Sequence, residues 1–263
     1  LTRFLETDRL LGVRAVPLSV PSPPPVASAS ATGRTAAAAV VVDVGPILPT
    51  PPPLSASELR DRQEALQKLD EQEVKVCTLC TLCKTRTKTV FGQGDPAARI
   101  VFVGEAPGHD EDIQGLAFVG RAGQLLTKMI DAMGLTRDQV FICNVLKCRP
   151  PNNREPAPTE VSACWPYLDQ QLRIIRPQVI VALGKPAAQT LLRTQESIGR
   201  LRGQWRDYHI GGLLEGGQPI PLMPTYHPAY LLRNPADKVK AWSDLKQVMQ
   251  KIGLKMPRRR SGD

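Results

Sequence analysis

Four short apolar runs set the limits on what this chain can fold into. Arg99-Ile-Val-Phe-Val103 ends at Gly104, and Val140-Phe-Ile-Cys-Asn144 ends at an amide. Gln178-Val-Ile-Val-Ala-Leu183 ends at Gly184, and Leu222–Thr225 stops just before His227. Runs this short and this apolar suit strands buried on both faces. Stretches with helical spacing follow them: residues 121–134 (Leu125, Met129, Ile130 and Met133), Thr159–Ile175, residues 185–193, and Ala236–Ile252 with Val239, Trp242, Leu245 and Met249 on one side. Strands alternating with helices predict an α/β fold, a three-layer sandwich around a mainly parallel central sheet. Ligands bind such sheets outside the carboxyl ends of the strands. Gly104-Glu-Ala-Pro-Gly108, Asn144, Gly184 and His227-Pro228 therefore fall on one rim, where chemistry is expected.

The flanks read differently. Residues 1–55 are dominated by Ser22-Pro-Pro-Pro25, Ala27–Ala31 and Pro49–Pro53. Proline removes backbone donors and small residues bury little area, so this segment is expected to be a disordered arm. Residues 56–255 form the expected domain, and 256–263 a basic tail. The domain opens with a helical stretch from Ser55 to about Val76. Ser55 or Ser57 is placed to cap it, with Glu58 in the first turn and Leu59, Leu66 and Leu69 sharing a face. Of the net charge of +9, the first sixty residues carry only +1. The rest of the chain is basic, as suits a polyanionic partner whose condensed counterions are released on binding.

All six cysteines lie between Cys77 and Cys164. The N-terminal residues lack a signal-peptide pattern. The Ala/Val run Ala36–Val42 is far short of a bilayer span. The expectation is a cytoplasmic protein, not a membrane one, with cysteines that bind metal rather than form disulfides. Cys77, Cys80 and Cys83 stand at two-residue gaps, Cys148 and Cys164 lie further on, and Cys143 sits inside an apolar strand. Four thiolates of this set suit either zinc or an iron–sulfur cluster, and spacing does not choose between them. The Gly104–Gly108 turn follows a strand and can gather backbone N–H groups around an acceptor. His109-Asp-Glu-Asp112 behind it reads as a solvated charged loop. Leu231 and Leu232 beside Arg233 read as an apolar wedge next to a phosphate contact.

Taken in order, these segments become specific. Cys77-x-x-Cys80, Val90-Phe-Gly-Gln-Gly94, Gly104-Glu-Ala-Pro-Gly-His-Asp-Glu-Asp112, Phe118-Val-Gly-Arg-Ala-Gly123, Asn144-Val-Leu-Lys-Cys-Arg-Pro-Pro151 with Asn153-Arg154, Leu201-Arg-Gly203 and His227-Pro-Ala-Tyr-Leu-Leu-Arg-Asn-Pro235 succeed one another. In this arrangement the chain resembles the family 4 uracil-DNA glycosylases, the iron–sulfur branch of that superfamily, from Cys77 to about Lys251.

The resemblance implies a monofunctional repair enzyme that flips uracil out of DNA, hydrolyses its glycosidic bond and leaves an abasic site. It implies a 4Fe-4S cluster on Cys77, Cys80, Cys148 and Cys164. It gives Glu105 and His227 the catalytic roles, the first at the sugar or its attacking water, the second near uracil O2. Ala106, Pro107, Glu111, Phe118 and Asn144 would form the uracil pocket: Phe118 stacking on the base, Asn144 reading its edge and Glu111 lying against C5. Leu231, Leu232 and Arg233 would grip the duplex. The implied setting is a monomer on uracil-containing DNA at the nucleoid. Ala117 precedes Phe118 where the family commonly has Pro, and Cys83 and Cys143 are additional to the ligand set. Two rivals are a cluster-bearing DNA-binding module without turnover, which would have no use for Glu105, Phe118, Asn144 and His227 together, and a glycosylase for another deaminated base.

Overall fold

The computed structural model describes residues 45–211 and 219–255. The expected disorder of residues 1–44 and the basic tail 256–263 lie outside the described residues. Helix α1 (Ala56–Leu69) is capped by Ser55, whose hydroxyl accepts from the Glu58 N–H while Glu58 returns to the Ser55 N–H. This reciprocal cap satisfies two backbone donors left open at the helix start. A π-helical turn, Asp70–Val74, extends it.

Six strands follow: β1 (Gln93–Gly94), β2 (Ile100–Gly104), β3 (Phe141–Asn144), β4 (Val179–Leu183), β5 (Arg206–Tyr208) and β6 (Ile220–Thr225). Their spatial order is β1-β3-β2-β4-β6-β5. The four apolar runs, β3, β2, β4 and β6, pair in parallel, while β1 and β5 close the two edges antiparallel. Between them lie α2 (His109–Gln114), α3 (Arg121–Ala132), α4 (Pro158–Ile175), α5 (Lys185–Leu192) and α6 (Ile198–Leu201), and α7 (Pro228–Arg233) and α8 (Lys238–Lys251) follow β6.

Strand alternation sorts the apolar side chains onto two faces. Val101, Val103, Ile180 and Leu222 pack with Leu66, Leu69, Leu168, Leu172 and Leu191 from α1, α4 and α5. Ile100, Phe102, Val181 and Met223 pack with Leu126, Met129, Leu245 and Val248 from α3 and α8. The three expected layers are therefore present around a mostly parallel sheet.

Several boundaries and faces move. Leu59 and Val239 share the predicted faces by spacing but stand exposed, near the ends of α1 and α8, where no partner covers them. The arm does not run to residue 55. Leu48 packs partly buried on the α3–α8 side, its N–H donates to the Lys251 carbonyl at 2.7 Å, and Gln178 Nε2 donates to the Pro49 carbonyl at 2.6 Å. A proline-rich segment with few donors of its own still docks, giving one N–H to the domain and accepting one in return.

Candidate active site

The carboxyl ends of β2, β3 and β6 open onto a cavity of about 300 Å³ lined by Glu105, Ala106, Pro107, Glu111, Phe118, Asn144 and His227. Gly104, at the end of β2, admits two of these side chains, because a Cβ there would collide with Asn144 Oδ1 and with the Phe118 ring. Asn144 ends β3. Its amide is buried, and its Oδ1 has no hydrogen-bond partner. A buried acceptor left open costs about 1–3 kcal/mol unless a ligand completes it.

Phe118 holds a left-handed backbone, φ 53°, which is uncommon for a bulky residue. Its surroundings enforce that conformation. Gly123 at the start of α3 leaves room for the Phe118 carbonyl, which a Cβ would strike. Glu111 ties the next two residues down: Oε1 accepts from Val119 N–H at 2.8 Å and Gly120 N–H at 2.9 Å, and Oε2 from Gly108 N–H at 3.1 Å. Arg137 donates to the Ala117 carbonyl at 2.7 Å, so the loop is held without a proline there.

The run His109–Asp112 is thus not a solvated loop. It begins helix α2, and Glu111 and Asp112 are buried, the latter accepting from Thr87 N–H at 2.9 Å. Carboxylates can be buried here because backbone N–H groups replace their water.

His227 precedes α7. Its Nδ1 accepts from the Ala229 N–H at 3.1 Å. Burial, followed by the nearby Arg233 charge, pushes the imidazole down to about 4. The ring is therefore neutral at physiological pH, and with Nδ1 accepting, its proton sits on Nε2 as a donor. Gly184 at φ 90° makes this packing possible, since a Cβ would stand 2.8 Å from His227 Cβ. Glu105, half-buried, has its carboxyl pushed up, first by burial and then by the neighbouring Glu155.

Not every predicted residue reaches the site. Leu231 is only 1% exposed and packs with Leu125, Met129, Trp242 and Leu245, so it is core and not a wedge. The reason is helical geometry: α7 turns Leu231 toward α3 and α8 while Leu232 and Arg233 face solvent. Conversely, Asn153 and Arg154 line the cavity. Both belong to a motif noted in the sequence, yet nothing there assigned them a role. Arg154 is held by two hydrogen bonds to the buried Glu160, at 2.8 and 2.6 Å.

The cysteines differ in their surroundings. The Cys148 thiol lies in the field of Cys80 and Cys77, and Cys164 in that of Cys148 and Cys80. Arg86 Nη1 donates to Cys148 Sγ at 3.2 Å, and the Lys147 N–H donates to Cys164 Sγ at 3.2 Å. Cys143 is buried in β3 on the α4 side, opposite the face that carries Asn144 toward Phe118. Among the described residues no three His, Cys, Asp or Glu side chains meet closely enough to hold a single ion. The six cysteines are compatible with a larger iron–sulfur group, whose thiolates stand further apart than those around one metal.

One aromatic platform, one open amide, one neutral imidazole and two carboxylates on the rim of a parallel sheet define a pocket suited to a single flat heterocycle. The uracil DNA glycosylase superfamily profile matches residues 91–246, and the chain belongs to that superfamily. It is 44% identical over 198 residues to the type-4 uracil-DNA glycosylase of Archaeoglobus fulgidus, covering 73% of this chain and 97% of that protein. It is 46% identical over 179 residues to the type-4 enzyme of Thermotoga maritima, covering 68% and 89%. A type-5 uracil-DNA glycosylase of Pyrobaculum aerophilum is 36% identical over 153 residues, 52% of this chain and 64% of that protein. No described helix is long and apolar enough to cross a membrane.

Proposed function

We propose that this protein excises uracil from DNA by hydrolysing the bond between N1 and C1′, leaving an abasic site. The observation that carries the reading is Asn144 Oδ1, buried and unpartnered at the cavity floor beside Phe118. A base reaches such a cavity only if its nucleotide is flipped from the stack, at a cost of a few kcal/mol. Phe118 then supplies a face for the ring. Asn144 accepts from uracil N3–H and donates to O4, a pattern that cytosine reverses. Glu111 closes the C5 side, with its oxygens already committed to backbone donors.

As the glycosidic bond lengthens, negative charge grows on uracil O2 and positive charge on the sugar. His227 Nε2–H is a fixed neutral donor for the first, as in an oxyanion hole. The Glu105 carboxylate stabilises the second or orients the attacking water. Leu232 and Arg233 are exposed at the end of α7 and are the part of the predicted grip that is free to meet DNA. The same reading carries a monomeric, cytoplasmic, nucleoid-associated protein.

Cys77, Cys80, Cys148 and Cys164 would hold a 4Fe-4S cluster, which would supply a structural tie and a redox-capable centre. The donors fit: four sulfurs share one another's fields, and Arg86 and the Lys147 N–H aim at two of them. Such donors stabilise the thiolate form that a cluster requires.

The test incubates the purified chain with a labelled uracil oligonucleotide and a matched thymine control, then applies alkali. Strand scission at uracil alone is expected, and slower scission with weaker discrimination against cytosine for Asn144→Asp. No alkali-sensitive site on any uracil substrate would overturn the reading.

A further inference from the structure

A second cavity, of about 670 Å³, opens beside the first and shares Glu105 with it. Trp165 of α4 forms part of its wall, with Ser162 and Gln189 nearby, and Lys185 and Arg193 flank it from the two ends of α5. The Arg193 guanidinium lies over the Trp165 ring, 5.9 Å from its centroid, so the ring face already carries one flat group. Neither Lys185 nor Arg193 has a carboxylate partner among the described residues. The start of α5 is also in register with the catalytic cavity, because Gly184 packs directly on His227.

An indole face, two cations without carboxylate partners and a shared wall with the base pocket match one chemical group: a nucleotide next to the flipped one. We propose that this cavity is a subsite for an unpaired nucleotide flanking the uracil on the same strand, its base taking the place of the Arg193 guanidinium on Trp165 and its phosphate held by Lys185 and the displaced Arg193. Only an unstacked base has a free face, so the subsite acts on single-stranded substrate, where sequence-tolerant stacking on aromatics is the usual source of affinity. Glu105 and Glu155 mark the end nearest the catalytic cavity and leave the phosphate to the α5 end. The inference rests on the glycosylase reading for which strand enters, but binding can be measured without turnover.

The test compares wild type, Trp165→Ala, Trp165→Phe and the double variant Lys185→Gln/Arg193→Gln. Uracil release gives KM and kcat on single-stranded and duplex oligonucleotides, and fluorescence anisotropy gives single-strand affinity independently. Loss of one stacked base corresponds to roughly 5- to 150-fold in affinity. Trp165→Ala is expected to raise the ratio of single-stranded to duplex KM by about 5-fold or more, with Trp165→Phe recovering most of it. The double variant, on the surface, is expected to flatten the salt dependence of single-strand binding by about 0.7 in log–log slope for each phosphate that is no longer neutralised. Equal losses on both substrates, or unchanged single-strand binding in the folded double variant, would overturn the subsite. If wild type binds single strands in this way yet releases no uracil, the glycosylase reading fails and the subsite stands.

Discussion

Phe118 and His227 stand against each other at the cavity wall, ring centroids 5.7 Å apart and planes tilted by 35°. The imidazole is thereby held in low-dielectric surroundings, which is why its proton is lost at about pH 4. His227→Ala is expected to slow single-turnover uracil release by about 10²- to 10³-fold, the usual loss for one oxyanion donor. The wild-type rate should show no step from this residue between pH 5 and 8. A step near pH 6.5 that disappears in His227→Ala would contradict a neutral donor.

Glu105 sets the acid side of the profile. Its carboxyl is raised by burial and by Glu155, and the active form is the carboxylate. Activity should therefore fall as pH drops through a value above the ordinary carboxylate range. Glu155→Gln should move that limb to lower pH. Stability runs the other way. A carboxyl with a raised folded-state pKa binds more protons folded than unfolded, so its contribution declines as pH rises between the two values. Glu105→Gln should consequently lose activity while thermal stability at pH 7 holds or rises. A less stable Glu105→Gln would show the carboxylate to be structurally paired.

The docking of Leu48 and Pro49 ties residues 45–55 to the folded domain. Starting at Gly45 should leave urea-unfolding stability unchanged relative to the full chain. Starting at Ala56 removes the Leu48 packing and the Ser55 cap together. The expected loss is about 1–2 kcal/mol for a partly buried leucine and about 1 kcal/mol for the cap. Identical urea midpoints for both shortened chains would show that residues 45–55 contribute nothing.

Six thiols compete for four places in a cluster. Iron, sulfide and visible absorbance should survive Cys83→Ser and Cys143→Ala. Serine at Cys77, Cys80, Cys148 or Cys164 should bleach the protein and lower its stability, because the site closes a loop of about seventy residues. Iron lost from Cys83→Ser but kept in Cys80→Ser would exchange those two ligands.

Much of the frame was legible from local pattern. The four parallel strands are apolar runs whose burial needs no partner's identity. Glu105 and His227 follow the ends of two of those strands and Asn144 ends a third, so their meeting on one rim followed from chain order. The edge strands β1 and β5 were not legible. They are two and three residues long, without an alternating pattern, and exist only because β3 and β6 offer them hydrogen bonds.

Other features depend on what lies across a gap. Helical spacing placed Val239 on an apolar face, but only the extent of the neighbouring layer decides that it stays in water while Leu231 is covered. Glu111 was read as a pocket wall; its three backbone donors come from loops eight and nine residues ahead and three behind, joined only by the folded turn. The inverted backbone of Phe118 depends on the empty space at Gly123 and the grip of Glu111. By itself the sequence determined the layers, the strand ends and the chemical types at the rim, because periodicity and side-chain chemistry are local. Tertiary structure alone decided which leucine is core, where the arm docks and how Phe118 is presented, because burial and hydrogen bonding there depend on groups that meet only after folding.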